Sequence, residues 1–331
     1  MNRAWIGVLA VLLVAAAEPA SAYLKFGVDV GGRTVVLKWN GTPRYFVNDR
    51  GASGVSASDL QAAVGRAFAT WQAVPTASLS YEFAGVTAAN PLDEDGSSTL
   101  GFLSRPDLDR VLASTNFVID DTTGEIVESD IFFNSEFPWS VAPGGEPDRY
   151  DLESIALHEI GHFSGLGHSA LGETELMPGG GRRVLSTGAV MFPIAFGTGS
   201  TASRTLKPDD IAGVSGIYPD GGFEESTGSI SGRVTLNGQG VFGAHVVAFN
   251  PATRTMIASF TLNDQGDFTI AGLSPGPHVV RVEPLDDAET DSFFDPSATI
   301  PLDFRVAFSD RLVVAPRGAD SGIVELKVVG K

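Results

Sequence analysis

Three histidines and a glutamate fall within eleven residues, His158-Glu159-Ile160-Gly161-His162-Phe163-Ser164-Gly165-Leu166-Gly167-His168. On a helix, His158 and His162 stand one turn apart on one face. Such a pair can ligate zinc at about 2.0–2.1 Å. Glu159 projects about 100° away from His158, so it can reach a water at the metal without being a ligand. Gly165 can adopt a left-handed conformation with no Cβ penalty, which would turn the chain and return His168 as third ligand. Three protein ligands leave one position open, the arrangement of a catalytic zinc rather than a structural one. The expected chemistry is hydrolysis. The metal polarises a carbonyl and lowers the pKa of water toward roughly 7, while Glu159 takes the proton as general base and passes it to the leaving amine. The competing reading is an ordinary helix with surface or core histidines. The chain has only five histidines and three of them sit here, which weighs against it.

The elements around this stretch must hold it in place. Asp151 can cap a helix carrying Ile155, Ala156, His158 and His162, and Gly165 is placed to end it. Upstream, residues 35–39 read as a first strand. Ser58 with Gln61 reads as a capping box opening a helix whose apolar positions are Leu60, Val64, Phe68 and Trp71. Residues 79–83, 116–119 and 126–133 read as strands, the last two joined by a turn at 120–124. Downstream, residues 172–203 read as a long Gly-rich connection. Pro208, Asp209 and Asp210 open a last helix, where a proline suits the first turn and the carboxylates suit the dipole. Residues 220–226 read as a linker. Beyond it, short strands at 230–236, 244–249, 257–261, 268–270 and 279–282 alternate with turns and no helix signal, the pattern of a β-sandwich.

The 331 residues leave room for two domains. Forty acidic residues against 22 basic give a net charge of −18, which argues against nucleic acid and anionic membrane surfaces as partners. There is no cysteine, so a zinc ion must be held by histidine or carboxylate. Arg3, an apolar run over 4–17 and Ala20-Ser21-Ala22 read as a secretory signal with its cleavage site. The run is short for a membrane span of roughly 20 residues. The expected protein is therefore a secreted monomer, extracellular or periplasmic, with no membrane insertion after cleavage. A secreted chain without cysteine points to a bacterial source. The expected division is a signal peptide at 1–22, a zinc peptidase domain at 23–221 and a β-sandwich at 222–331.

His-Glu-x-x-His-x-x-Gly-x-x-His is the metzincin signature, and Ser169 directly after it resembles the matrixin branch. Residues 189–193, Ala-Val-Met-Phe-Pro, resemble the matrixin Met-turn, whose methionine packs beneath the metal; here that is Met191, with Met177 in Leu176-Met177-Pro178 as a rival. Residues 206–213 resemble the matrixin closing helix, and residues 130–134 a sheet strand before the active-site helix. The resemblance spans about residues 30–219. It implies an α+β fold: a twisted, mostly parallel five-stranded sheet with three helices, followed by the all-β sandwich. It also implies cleavage of protein or peptide substrates laid antiparallel to an edge strand, for which residues 113–118 are the candidate. The C-terminal segment 228–284 resembles carboxypeptidase-regulatory-like domains in its turns and strands, and is expected to be non-catalytic. Residues 285–331 are expected to add strands to it or to form a small extra unit.

The chain also departs from that pattern. The spacing from His168 to Met191 is longer than in animal matrixins. Their histidine-held second zinc has no counterpart, since only His245 and His278 remain, and both are expected at the surface or in turns. One catalytic zinc is therefore expected. The inhibitory cysteine is missing, and Ala195 stands where matrixins often carry a pocket-lining tyrosine. Asp93-Glu94-Asp95, Asp107 with Asp109, and Asp120-Asp121 offer oxygen donors for calcium or are simply solvated turns. The alternative function is a protease-like surface binding protein that has lost activity, and a zinc hydrolase acting on a non-peptide bond is a third reading.

Overall fold

The computed structural model describes residues 23–331, so the expected signal peptide lies outside the described residues. The chain opens with a small hairpin, β1 (Gly27–Asp29) against β2 (Thr34–Val36). The strand expected at 35–39 begins as this short piece outside the five-stranded sheet, and Lys38 then reaches that sheet through an isolated parallel bridge to Glu125. The main sheet begins instead at β3 (Arg44–Asn48), where Tyr45 and Val47 alternate inward.

Helix α1 (Ala57–Gln72) is capped by Ser56, two residues before the expected Ser58. Asp59 N donates to Ser56 Oγ and Ser56 N donates to Asp59 Oδ2, both at 3.2 Å. This closes a reciprocal capping box on aspartate rather than glutamine. Leu60, Val64, Phe68 and Trp71 are buried as the helical spacing expects, joined by Ala63 and Ala67. Next come β4 (Glu82–Thr87), β5 (Ser98–Leu103), β6 (Ala113–Asp120) and β7 (Glu125–Asn134). With β3 they form a five-stranded sheet in the order β4-β3-β5-β7-β6. Its pairings are parallel except β6 against β7. β6, which contains the candidate edge, is an end strand.

A two-stranded pairing of β8 (Trp139–Ser140) with β9 (Tyr150–Asp151) leads into α2 (Leu152–Phe163). The stretch expected as an open connection contains a hairpin of β10 (Gly172–Leu176) and β11 (Arg182–Thr187). Neither strand buries a face, so there is no apolar alternation to read. α3 (Pro208–Ile217) is the closing helix, and one more turn, α4 (Phe223–Ser226), occupies the expected linker.

The rest is a sandwich of two sheets. One holds β12 (Gly228–Leu236) with β13 (Gln239–Gly240); the other holds β14 (His245–Asn250) with β15 (Thr255–Phe260). β16 (Asp267–Leu273) joins the first and β17 (Gly276–Glu283) the second. The last residues add strands to both: β18 (Ala307–Phe308) and β19 (Val313–Ala315) pair with β17, and β20 (Asp320–Val328) lies parallel to β12. Ile230, Val246, Phe268, Ile270, Val280 and Phe304 fill its core, each contributing about 1.5–3 kcal/mol of burial.

The two domains share apolar contacts. Tyr23 and Ala212 belong to the sandwich core. Leu24, Ala170 and Phe192 cluster with Phe260, Phe293 and Phe294, and Leu171 and Ala189 with Val247 and Ala258. No described helix is long and apolar enough to cross a membrane.

Candidate active site

Asp151 is the N-cap of α2, its carboxylate accepting from Ser154 N at 3.0 Å and Ser154 Oγ at 2.6 Å. Arg204 Nε donates to the same carboxylate at 2.9 Å, so the cap is tied to a distant loop. At the other end Gly165 has φ +92°. A Cβ there would lie 2.4 Å from the Leu37 carbonyl oxygen, so both conformation and space demand glycine. The chain reverses and is held by the N-terminal segment: Phe26 N donates to Gly165 O at 3.0 Å, and Gly167 N to Leu24 O at 2.8 Å.

This reversal brings His158, His162 and His168 together, their ligand nitrogens all within 4.8 Å of one another. Behind each ring stands a backbone carbonyl. His158 Nδ1 meets Val190 O at 2.8 Å, His162 Nδ1 meets Leu166 O at 2.8 Å, and His168 Nδ1 meets Ser292 O at 2.6 Å. A carbonyl can only accept, so each Nδ1 carries the hydrogen and each Nε2 of a neutral ring presents a lone pair. The 3.1 Å approach of His162 Nε2 to His168 Nε2 is then a meeting of two lone pairs rather than a hydrogen bond. Burial, and then the neighbouring rings, hold His162 well below the usual imidazole range and His168 at about 3. Burial also lowers His158. Neutral imidazoles with converging lone pairs are a donor set of the kind zinc takes, with room for a fourth ligand.

Glu159 is 5 % exposed. Its Oε2 accepts from Thr115 Oγ1 at 2.6 Å, which places the carboxylate between the ligand helix and edge strand β6. Burial pushes Glu159 up to about 7, against the Thr115 hydrogen bond. The residues open onto a cleft of about 1090 Å³, lined on its other sides by Leu112, Tyr150, Ala195, Arg182 and Phe293.

Met191 is buried beneath α2: a Cβ on Gly161 would lie 2.2 Å from its sulfur. Met177 follows directly on β10 and is 40 % exposed. Asp210 does more than favour a helix dipole. It accepts from Val190 N at 2.8 Å, Met191 N at 3.1 Å and Lys207 N at 2.8 Å. Asp209 accepts from Ser169 Oγ at 2.6 Å and, across the domain boundary, from Ala258 N at 2.8 Å. Burial pushes both carboxyls up, Asp209 to about 7 and Asp210 to about 6.

Sequence reasoning missed Thr115 and Phe26, whose ring lies 5.4 Å from that of His162. It also missed all three carbonyls, which leave no trace in residue type. His245 and His278, expected at the surface or in turns, lie in strands and are buried at 2 % and 1 % exposure. His245 Nδ1 meets Glu283 Oε1, and His278 Nδ1 meets Gly276 O, both at 3.0 Å. Among the described residues His158, His162 and His168 form the one grouping of three or more potential ligands. The acidic clusters are engaged locally: Asp93 with Asn90, Asp95 with Ser97, Asp107 with Arg105, Asp120 with Thr122.

Comparison with known families agrees with this geometry. Residues 38–179 match the matrixin family and residues 229–305 match the carboxypeptidase regulatory-like domain. A 68-residue stretch is 38 % identical to Metalloendoproteinase 5-MMP of Arabidopsis thaliana, covering 20 % of this chain and 14 % of that relative. The chain thus carries a matrixin domain followed by a carboxypeptidase regulatory-like domain, an α+β metalloprotease fold continued by a β-sandwich.

Proposed function

We propose that the protein is a secreted zinc-dependent endopeptidase, with His158, His162 and His168 as ligands and Glu159 as general base. The observation that carries this is the convergence of three neutral imidazoles, each braced from behind by a carbonyl. Zinc, when bound, supplies a Lewis acid that polarises the scissile carbonyl and acidifies water. The chain's own residues do the rest. Thr115 Oγ1 fixes the Glu159 carboxylate at the cleft, where it accepts the proton of the attacking water and delivers it to the leaving nitrogen. The free edge of β6 offers backbone groups to an extended peptide running antiparallel. Met191, held by Asp210, forms the floor beneath the ligand helix. The matrixin match and the metalloendoproteinase relative support the reading.

Secretion rests on the signal pattern at 1–22, and a purified protein beginning at Tyr23 is the outcome expected from N-terminal sequencing. Calcium in the acidic loops is tested by whether added calcium raises the thermal midpoint at fixed zinc. The central test is casein cleavage by the full chain, before and after zinc removal with a chelator, alongside Glu159→Gln. A wild type that binds zinc and cleaves no peptide under any condition sinks the proposal.

A further inference from the structure

The three carbonyls behind the histidines come from different places. Leu166 and Val190 lie in the first domain, 4 and 32 residues along the chain from the rings they brace. Ser292 lies 124 residues beyond His168, after the last residue of β17. It belongs to a segment, residues 284–302, that leaves the sandwich and crosses to the cleft, where Glu289, Asp291, Ser292 and Phe293 form part of the wall.

This strap is firmly seated. Thr174 N donates to Asp287 Oδ1 at 3.0 Å and Thr174 Oγ1 to Asp287 O at 2.7 Å. These bonds fasten the strap to the hairpin β10–β11. Leu285, Phe293 and Phe294 are buried with Leu24, Phe192 and Phe260 in a cluster drawn from both domains. A 3-10 turn over Thr290–Ser292 sets the carbonyl: Ser292 N donates to Glu289 O, and Phe293 N to Thr290 O, both at 3.0 Å. The ring of Phe293 stands edge-on to that of His168 at 6.3 Å.

We propose that the strap is part of the metal centre, with the Ser292 carbonyl as the positioning group for His168, so that the sandwich domain governs how tightly the first domain holds its metal. The inference rests on the zinc reading above. His158 and His162 sit on a helix whose backbone limits their rings. His168 sits in the loop beyond it, and the hydrogen bond that fixes its tautomer and orientation comes from the other domain. Acceptors behind ligating histidines contribute about 10–100-fold to metal affinity. The regulatory-like domain is then a structural component of the site rather than an appendage.

The test uses the full chain. Residues 286–298 are replaced by a Gly/Ser segment of equal length, and zinc affinity is measured by competition with a chromophoric chelator, with circular dichroism reporting the fold. The dissociation constant is expected to rise about 10–100-fold, while Ser292→Ala, which keeps the carbonyl, stays within about twofold. An unchanged constant in the replaced chain overturns the proposal. A second measurement needs no variant to fold. In zinc-loaded wild type carrying 15N-histidine, the Nδ1–H of His168 is expected downfield and protected from exchange, like those of His158 and His162. Rapid exchange of that one proton, with the other two protected, also overturns the proposal. A wild type that binds no zinc removes the proposed function and this inference together; equal zinc binding with and without the strap removes the inference alone.

Discussion

Both domains place histidines out of water, and they do so to different ends. In the first, three rings turn one nitrogen to a backbone carbonyl and the other to each other. In the sandwich, His245 and His278 are more deeply buried than His162 but stand apart. His245 shares the Glu283 carboxylate with Arg281, whose Nη2 lies 3.1 Å from the same oxygen. His278 bonds its own strand. Burial of an imidazole therefore does not mark a site. What marks one is acceptors behind the rings and lone pairs meeting in front of them.

The contrast can be broken experimentally. His162→Ala removes one of the three proposed ligands, and both bound zinc and peptide cleavage are expected to fall to background, read by metal analysis and a fluorogenic peptide. Glu159→Gln is expected to keep the zinc while lowering kcat about 10²–10⁴-fold; a loss of zinc in that variant would make Glu159 a ligand-shell residue instead. Asp210→Ala takes the acceptor from three backbone N–H groups around Met191, and is expected to destabilise the fold by about 3–5 kcal/mol in denaturant unfolding. His245→Gln marks the other side of the comparison. It is expected to lower stability by about 1–3 kcal/mol with zinc content and activity unchanged, and a loss of zinc would erase the distinction drawn above.

A finer test uses pH. Asp209 in the folded protein is raised to about 7 by burial, against about 3.9 when unfolded. The folded state thus binds the proton more tightly, and the stability this brings is full below about pH 4 and lost as pH rises toward 7. Asp209→Asn does not titrate. Its stability relative to wild type is expected to improve as pH rises from about 4 to about 7, measured as the difference in thermal midpoint. A constant difference would mean that Asp209 stays ionised throughout.

What the sequence made legible follows from which atoms do the work. The clustering of His158, His162 and His168, the Asp151 cap and the Pro208 helix are carried by side chains of distinctive type, and could be read directly. Ser56 and Ser58 are both good caps, and only the position of Asp59 decides between them. The strand Arg44–Asn48 is short, and the hairpin after Gly172 buries neither face, so periodicity was silent there. Thr115 has no distinguishing feature until β6 brings it to Glu159. The carbonyls of Val190, Leu166 and Ser292 are backbone atoms, indistinguishable in sequence from any others.

The Ser292 contact also has a consequence for the order in which the protein is made. A chain grows from its N-terminus, and domains generally fold as they emerge. When the first domain is complete, His158 and His162 already have their acceptors, but His168 does not. Its partner, Ser292, lies 124 residues beyond it in the chain and has yet to be synthesised. The third ring is therefore seated last, after most of the sandwich has been synthesised, which delays a fully braced centre until the chain is nearly whole.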